Sequence, residues 1–220
     1  MTLSEESLVE LARLLCEPDA PVSDSTRADA MSVHIADSLG GLEFGELTRA
    51  SNAADIGSGA GLPGLPLAVS LPAVEWTLIE ATGRKCAFIE RAVGELDLGN
   101  VTVAAERTED FSAASPGREG FDVVTARAVG SLVTTAELAS PLVRDGGFVM
   151  VWRGSRDPAA ERHLDQAAGR LALESVEVRP VRPYPDSRDR HIHLLRKNGP
   201  TPGDLPRRPG MAAKRPFGVE

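Results

Sequence analysis

The sequence predicts an α/β fold in which a mostly parallel sheet of seven strands, with an antiparallel last strand, carries helices on both faces and extra helices before the sheet. Strand-like and helix-like segments alternate from residue 52 onward, which is typical of parallel sheets. A turn with three glycines follows the first strand, where such sheets bind ligands. The length of 220 residues with 42% hydrophobic content suits the core of one domain.

The N-terminal 50 residues predict helices that precede the sheet. Leu8, Leu11 and Leu15 recur on one helical face, and a second amphipathic stretch covers residues 26–47 with an interruption at Gly40 and Gly41. We therefore predict a helical extension over 1–50 and a sheet core over 51–198, which together form a single domain. Residues 199–220 are basic and rich in Pro and Gly, so they predict a tail without regular structure.

The predicted strands are short segments that are apolar throughout or alternate between apolar and polar residues. In chain order they are NAADI, VEWTLIE, VTVAA, FDVVTAR, FVMVW, ESVEVRPV and RHIHLLRK. Helices are predicted from residue 62, over 82–96, over 131–142 and over 159–171, and a loop rich in Ser, Pro and Gly follows VTVAA. The last two strands are close enough in sequence to pair as an antiparallel hairpin.

The charge is unevenly distributed along the chain. The formal net charge of −8 argues against a nucleic-acid partner, because phosphate binding normally needs a basic surface. However, residues 1–152 hold 10 basic and 23 acidic residues, whereas residues 153–220 hold 14 and 9. A basic C-terminal third predicts RNA phosphate contacts from Arg207, Arg208, Lys214 and Arg215, and the alternative is a solvated charged tail.

Cysteine usage and hydropathy bear on the compartment and on metals. Cys16 and Cys86 lie 70 residues apart in helix-like segments, which indicates small core residues and neither a zinc site nor a disulfide. No long apolar run is present and the N-terminus is acidic, so we expect a cytoplasmic protein with no membrane partner. We also expect a monomer without a bound metal.

Residues 54–64, ADIGSGAGLPG, form the glycine turn between the first strand and the following helix. Gly57, Gly59 and Gly61 allow the backbone to bend sharply and to approach a ligand closely. The dinucleotide pattern G-x-G-x-x-G fails, because Leu62 stands in its last place, whereas D-x-G-x-G-x-G fits with Asp55 leading. The alternative for Asp55 is a structural carboxylate that caps the turn.

An acidic residue at the end of the second strand completes the cofactor pattern. Glu80 closes VEWTLIE and is placed to accept hydrogen bonds from ribose hydroxyls. A nicotinamide dinucleotide carries a pyrophosphate, whereas S-adenosylmethionine carries a sulfonium, an ammonium and no phosphate, so an acid in the turn favours the latter. An NAD(P)-dependent oxidoreductase remains as the alternative enzyme class.

Six segments carry a more specific resemblance. They are HIADSL, DIGSGAGLPGLPLA, GRKCAFIE, AERTEDF, FDVVTARAVGSL and RHIHLLRK, in this order over roughly residues 30–200. This set resembles the bacterial 16S ribosomal RNA guanine-N7-methyltransferase family, also called glucose-inhibited division protein B. The ending TPGDLPRRPGMAAKRPF resembles the tail of Gram-positive members.

The resemblance implies a Rossmann-like class I S-adenosylmethionine-dependent methyltransferase that modifies N7 of guanine 527 in 16S ribosomal RNA within a small-subunit particle. It implies that Gly57 and Leu62 line the cofactor site and that Thr108 and Glu109 approach the adenine. By the same resemblance Arg127 and Arg153 are catalytic residues, with Arg127 beside the cofactor as well. Arg107 and Arg190 are implied to contact RNA.

The residues themselves suggest how such a reaction proceeds. Guanine N7 presents an unprotonated lone pair, so methyl transfer needs no base, and Arg127 at the end of FDVVTAR is placed to orient the guanine. The alternative is that Arg127 only pairs with Glu80 or Asp122. His34 and Asp37, one helical turn apart, predict a polar link from the N-terminal helices to the site. A non-catalytic RNA-binding assembly factor is the remaining alternative function.

Overall fold

The computed structural model describes residues 2–185 and 187–218, and its seven strands form one sheet. The strands are β1 (Asn52–Ile56), β2 (Glu75–Ile79), β3 (Val101–Ala104), β4 (Phe121–Arg127), β5 (Val143–Arg153), β6 (Leu173–Pro180) and β7 (His191–Lys197). The sheet order is β3-β2-β1-β4-β5-β7-β6. Neighbours from β3 to β5 pair in parallel, and β7 is antiparallel to both β5 and β6. The predicted sheet is therefore confirmed, including its antiparallel last strand.

The α-helices flank the sheet on both faces. They are α1 (Leu3–Leu15), α2 (Ala36–Leu39), α3 (Gly45–Thr48), α4 (Gly64–Ser70), α5 (Gly83–Glu95), α6 (Thr108–Phe111), α7 (Leu132–Ala139), α8 (Pro158–Leu171) and α9 (Met211–Lys214). One core packs α1, α4 and α5 against the sheet, and a second core packs α7 and α8 against its other face. Because both faces are covered, β4 is buried along most of its length, and consecutive residues such as Val123 and Val124 are apolar.

Strand order reverses between β1 and β4, which are hydrogen-bonded neighbours although β2 and β3 lie between them in sequence. The chain leaves β1 toward one side of the sheet and leaves β4 toward the other. In open α/β sheets, the crevice that this divergence creates at the carboxyl ends of the strands is where ligands bind. The glycine turn after β1 and Arg127 at the end of β4 both lie at this crevice.

The N-terminal segment is helical but broken into short pieces. Thr2 and Glu5 form a capping box at the start of α1. Residues 24–48 then pass through a 3-10 helix (Asp24–Asp29), a π-helix (Ala30–Ile35), α2, a second 3-10 helix (Gly40–Glu43) and α3. A Cβ added to Gly41 would lie 2.8 Å from the Trp152 ring, so glycine there allows this segment to approach the end of β5.

Three details differ from the sequence-based predictions. Cys16 is exposed, because it follows the last residue of α1 and lies off the buried face that Leu11, Leu14 and Leu15 form, whereas Cys86 is buried as expected. The loop after β3 contains the short helix α6. The tail contains α9, and Leu205 and Ala212 are each 3% exposed, so side-chain burial orders a segment whose Pro and Gly content prevents long regular elements. Within the described ranges, no helix has both the length and the apolar character to cross a membrane.

Candidate cofactor and base-binding site

The glycine turn after β1 has a left-handed backbone at all three glycines. The φ angles of Gly57, Gly59 and Gly61 are +59°, +61° and +80°. A Cβ at Gly61 would lie 2.3 Å from Leu65 Cδ1, whereas a Cβ at Gly59 would meet only its own turn, at 3.8 Å. The Gly59 backbone therefore faces open space, where a ligand can approach it, and Leu62 at the end of the turn is 6% exposed.

Glu80 follows β2 and holds the glycine turn from the side. Its Oε2 accepts a hydrogen bond from Gly59 N at 3.0 Å and its Oε1 accepts one from Thr82 N at 2.8 Å. Burial alone would raise the pKa of Glu80, but the hydrogen bonds from Thr82 and Gly59 hold that pKa below its ordinary value. Glu80 is thus an ionised acceptor beside the turn, with oxygen lone pairs left for a ligand's hydroxyl groups.

Asp55 lies on β1 directly below the turn and is completely buried. Thr125 on β4 donates a hydrogen bond to Asp55 Oδ1 at 2.8 Å. Burial raises the pKa of Asp55 to about 6, and the hydrogen bond from Thr125 limits this rise. In this conformation the carboxyl group joins β1 to β4 and has no exposed atom, so its predicted contact with a cofactor stays a prediction.

The residues that follow β3 border the same crevice. Thr108 begins α6 and is 9% exposed, and Arg107 before it is exposed. Glu109 is half-buried, and its Oε1 accepts a hydrogen bond from Gly210 N at 2.8 Å. The tail therefore reaches the segment for which an adenine contact is predicted.

Arg127 is bound by the N-terminal segment. Its Nη1 donates to Asp37 Oδ2 at 3.0 Å and to the His34 carbonyl at 3.4 Å, so neither Glu80 nor Asp122 is its partner. The side chains of Arg127 and Asp37 are only 16% and 12% exposed. Burial, followed by the charge of Arg127, lowers the pKa of His34. The expected polar link from the N-terminal helices to the site is present, and Asp37 anchors it.

A cavity of about 410 Å³ opens beside this ion pair. Its lining includes His34, Asp37, Arg127, Trp152, Arg153 and Arg190. The three guanidinium groups outnumber the single carboxylate, which makes the cavity attractive to an electron-rich or anionic ligand. The glycine turn is close by, since a Cβ on Gly57 would lie 3.0 Å from Val129, two residues after Arg127.

The other cavity-lining cations are also positioned by hydrogen bonds. Arg153 Nη1 donates to the Gly130 carbonyl at 2.7 Å, and Arg190 Nη2 donates to the Tyr184 hydroxyl at 3.3 Å. Arg190 Nε lies 3.8 Å from Asp37 Oδ1, so Asp37 stands between Arg127 and Arg190. Sequence reasoning assigned Asp37 only a structural role and missed Trp152, whose Nε1 donates to the Asp37 carbonyl at 2.9 Å. The sequence signal for Trp152 was its place at the end of β5, directly before Arg153.

The four cations predicted to bind RNA through the tail occupy different environments. Arg207 is committed to Glu137, with Nε–Oε1 and Nη2–Oε2 distances of 2.6 Å and 2.5 Å. Lys214 and Arg215 are exposed, and Arg208 is half-buried. Across the described residues, these last three side chains have no ion pair. Nor does that part of the chain hold a group of three or more His, Cys, Asp or Glu side chains suited to a metal ion.

Comparison with known proteins identifies the family. The family model for rRNA small subunit methyltransferase G matches residues 10–192. The chain belongs to this family.

Curated relatives that carry the same family name extend over most of the chain. Ribosomal RNA small subunit methyltransferase G of Roseiflexus castenholzii is 41% identical over 185 residues, covering 84% of this chain and 78% of that protein. The protein of this name from Carboxydothermus hydrogenoformans is 38% identical over 184 residues, with the same two coverages. The one from Limosilactobacillus reuteri is 34% identical over 230 residues and covers 99% of this chain and 94% of its own length, so that match includes the tail.

Solved structures agree with the rRNA small subunit methyltransferase G assignment at the level of the fold. A predicted O-methyltransferase from Agrobacterium tumefaciens has a TM-score of 0.57 at 20% identity and covers 74% of this chain and 81% of that one. A fibrillarin pre-rRNA processing protein from Methanococcus jannaschii has a TM-score of 0.55 at 15% identity, with coverages of 71% and 70%. The sheet is thus that of the class I methyltransferases.

Proposed function

We propose that this methyltransferase transfers a methyl group from S-adenosylmethionine to N7 of a guanine, position 527, in 16S ribosomal RNA of the small subunit. The observation that carries the proposal is Arg127, which Asp37 holds between the glycine turn and a cationic cavity. Family membership supports the class of reaction and the class of RNA. Since ribosomal RNA is its substrate, we place the reaction in the cytoplasm.

The crevice suits S-adenosylmethionine better than a nicotinamide dinucleotide. The Gly59 backbone faces open space, so a ligand can approach it closely. Gly59 N already donates to the Glu80 carboxylate, and a pyrophosphate would have to compete with that carboxylate for the amide while being repelled by it. A sulfonium and an ammonium are instead attracted to this acidic turn. The residues present therefore fit the sulfonium cofactor.

The residues that would hold the cofactor come from three strand ends. We assign the turn (Gly57, Gly59, Gly61 and Leu62) to its methionine part, Glu80 to the ribose hydroxyls, and Thr108 with Glu109 to the adenine. Asp55 supports the turn indirectly, because its hydrogen bond with Thr125 joins β1 to β4 beneath the turn. When bound, S-adenosylmethionine supplies an electrophilic methyl group.

The chain's own residues are required for orientation and not for proton transfer. Guanine N7 carries a free lone pair, so no general base is needed. Arg127 Nη1 is occupied by Asp37, and its Nε and Nη2 have no hydrogen-bond partner among residues 2–185 and 187–218. These two nitrogens form a planar fork that can bind the O6 edge of guanine and leave N7 directed at the methyl group. Arg153 borders the same cavity and adds positive charge beside the base.

The RNA backbone is assigned to cations around the crevice. Arg107 and Arg190 lie at its edges, after β3 and before β7, and Lys214 and Arg215 are exposed on the tail. Phosphate contacts of this kind give affinity but do not recognise the base. We assign recognition of the guanine to the cavity.

The decisive experiment is mass-spectrometric mapping of methylated guanine in small-subunit RNA. Particles that lack the modification would be incubated with S-adenosylmethionine and either the wild-type protein or Arg127→Ala. We expect one N7-methylguanine with the wild type and a strongly reduced yield with the variant. Binding to particles without any methyl transfer would instead support the non-catalytic assembly factor. Calorimetric titration with NAD and with S-adenosylmethionine separates the two cofactor classes.

A further inference from the structure

The tail is anchored along its length to the helices beside the cofactor crevice. We call residues 199–218 the strap. Arg118 Nη1 donates to the Leu205 carbonyl at 2.8 Å, and the buried Lys197 Nζ donates to Thr201 Oγ1 at 2.8 Å. Leu205 and Ala212 are buried in the core. The strap is therefore a packed part of the domain, which its composition does not indicate.

The strongest anchor is a buried ion pair in the middle of the strap. Glu137 on α7 is 3% exposed and Arg207 is 19% exposed, and they form two parallel hydrogen bonds. The Arg207 guanidinium also lies 4.0 Å from the centre of the Phe217 ring and donates to the Arg215 carbonyl at 2.8 Å. Arg170 stacks on the same ring at 4.2 Å. A single arginine thus joins α7 to the segment that follows α9.

The same part of the strap contacts the cofactor side of the sheet. Gly210 N, immediately before α9, donates to Glu109 Oε1 at 2.8 Å. On the next helix, Thr134 Oγ1 donates to the Ala212 carbonyl at 3.2 Å. α6 follows β3 and α7 follows β4, so the strap bridges the segments that leave two strand ends at the crevice.

We propose that the strap is a structural part of the cofactor site and that Arg207 is its positioning residue. Arg207 fixes α9, and through the Gly210–Glu109 hydrogen bond it holds α6 in the arrangement that receives the adenine. This inference rests on the proposed function, because that function assigns Glu109 to the adenine. Coupling between two sites is reciprocal, so a bound cofactor must also stabilise the docked strap.

The first test measures cofactor affinity. S-adenosylhomocysteine, the demethylated product, would be titrated calorimetrically into full-length wild type, Arg207→Ala, Arg207→Lys and Glu137→Gln. We expect Arg207→Ala and Glu137→Gln to raise Kd by about fivefold or more, with Arg207→Lys in between because it keeps the charge but loses the bidentate pair. Arg162→Ala is the matched control, since it removes an exposed guanidinium from α8 that has no ion pair in the described ranges. It should leave Kd unchanged.

The second test needs no variant and measures whether a bound cofactor analogue stabilises the docked strap. Trypsin cleavage after Lys214 reports opening of the strap, and cleavage after Arg13 on α1 serves as a reference on the other face of the sheet. S-adenosylhomocysteine should slow cleavage after Lys214 more than cleavage after Arg13. Equal protection at both sites, or an Arg207→Ala Kd equal to that of Arg162→Ala, would overturn the inference. If the wild type itself does not bind S-adenosylhomocysteine, the proposed function is wrong, and the inference that rests on it is wrong as well.

Discussion

Removing the Arg127 side chain is the sharpest test of the proposed mechanism. Arg127→Ala breaks the 3.0 Å pair with Asp37 and removes the planar fork from the cavity. Asp37 keeps Arg190 Nε at 3.8 Å, so its charge remains partly compensated. We therefore expect a loss in the free energy of unfolding of about 1–3 kcal/mol, the range for leaving a buried polar group without its partner.

Turnover should fall much further than this stability change explains. Misplacing reacting atoms by about 1 Å costs roughly a hundredfold in rate, which corresponds to about 2.7 kcal/mol of activation free energy. Arg127→Lys should recover little of the rate, because an ammonium cannot reproduce the fork. The assay is single-turnover methylation of small-subunit particles at saturating cofactor and enzyme, run well below the melting temperature of the variant.

A double-mutant cycle isolates the contribution of Asp37. Asp37→Asn removes the charge but keeps the backbone carbonyl that accepts from Trp152 Nε1. If Asp37 acts only by orienting Arg127, Asp37→Asn should slow the wild type yet change nothing in the Arg127→Ala background. A near-wild-type rate for Arg127→Ala would refute the proposed base-positioning role, whatever the cycle shows.

Four further predictions concern the turn, its acids and the strap. Gly59→Val forces a branched residue into a left-handed backbone on the open side of the turn, so S-adenosylmethionine binding should weaken by about 1–3 kcal/mol by calorimetry. Glu80→Ala should cost roughly 1–3 kcal/mol of the same binding, and a loss of thermal stability alone would make Glu80 purely structural. Because burial raises the pKa of Asp55 from 3.8 to about 6, the folded protein holds a proton on Asp55 that the unfolded chain has released between these pH values. The free energy of unfolding should therefore fall as pH rises from about 4 to about 6. Urea titrations of Asp55→Asn should show a smaller dependence of this free energy on pH. Replacing both Lys214 and Arg215 by Ala should reduce the salt slope of RNA binding by up to about 1.4 to 1.8, whereas an unchanged slope would exclude them as phosphate contacts.

The elements of the sheet are predictable because their signals are local. β4 coincides with the predicted FDVVTAR, because a strand that is buried on both faces needs apolar side chains at consecutive positions such as Val123 and Val124. The partner of Arg127 was not predictable in this way. Glu80 and Asp122 are the acids near it along the predicted sheet, but the actual partner, Asp37, lies 90 residues earlier on a short helix. A contact of that kind depends on how the N-terminal segment packs, which no local pattern encodes.

The contacts of the strap could not be predicted from the sequence either. Its Pro and Gly content predicts no regular structure, which is wrong at α9, and composition does not reveal the specific anchors of the tail. Arg207 and Lys214 look equivalent in the sequence, yet one is bound to the buried Glu137 and the other is exposed. Arg207 was included among the RNA contacts because its partner, 70 residues away, is visible only in three dimensions.

The position of β7 inside the sheet has a consequence for synthesis of the protein. β7 lies between β5 and β6, and β6 has no other neighbour in the sheet order. A nascent chain that has reached residue 180 therefore carries β6 without a partner and exposes the open edge of β5, which are both prone to wrong pairing. A chain truncated between residues 181 and 190 would remain in this state, because it contains β5 and β6 but lacks β7. Such a product should appear as misfolded or aggregated chain, because neither the open edge of β5 nor β6 has its native partner.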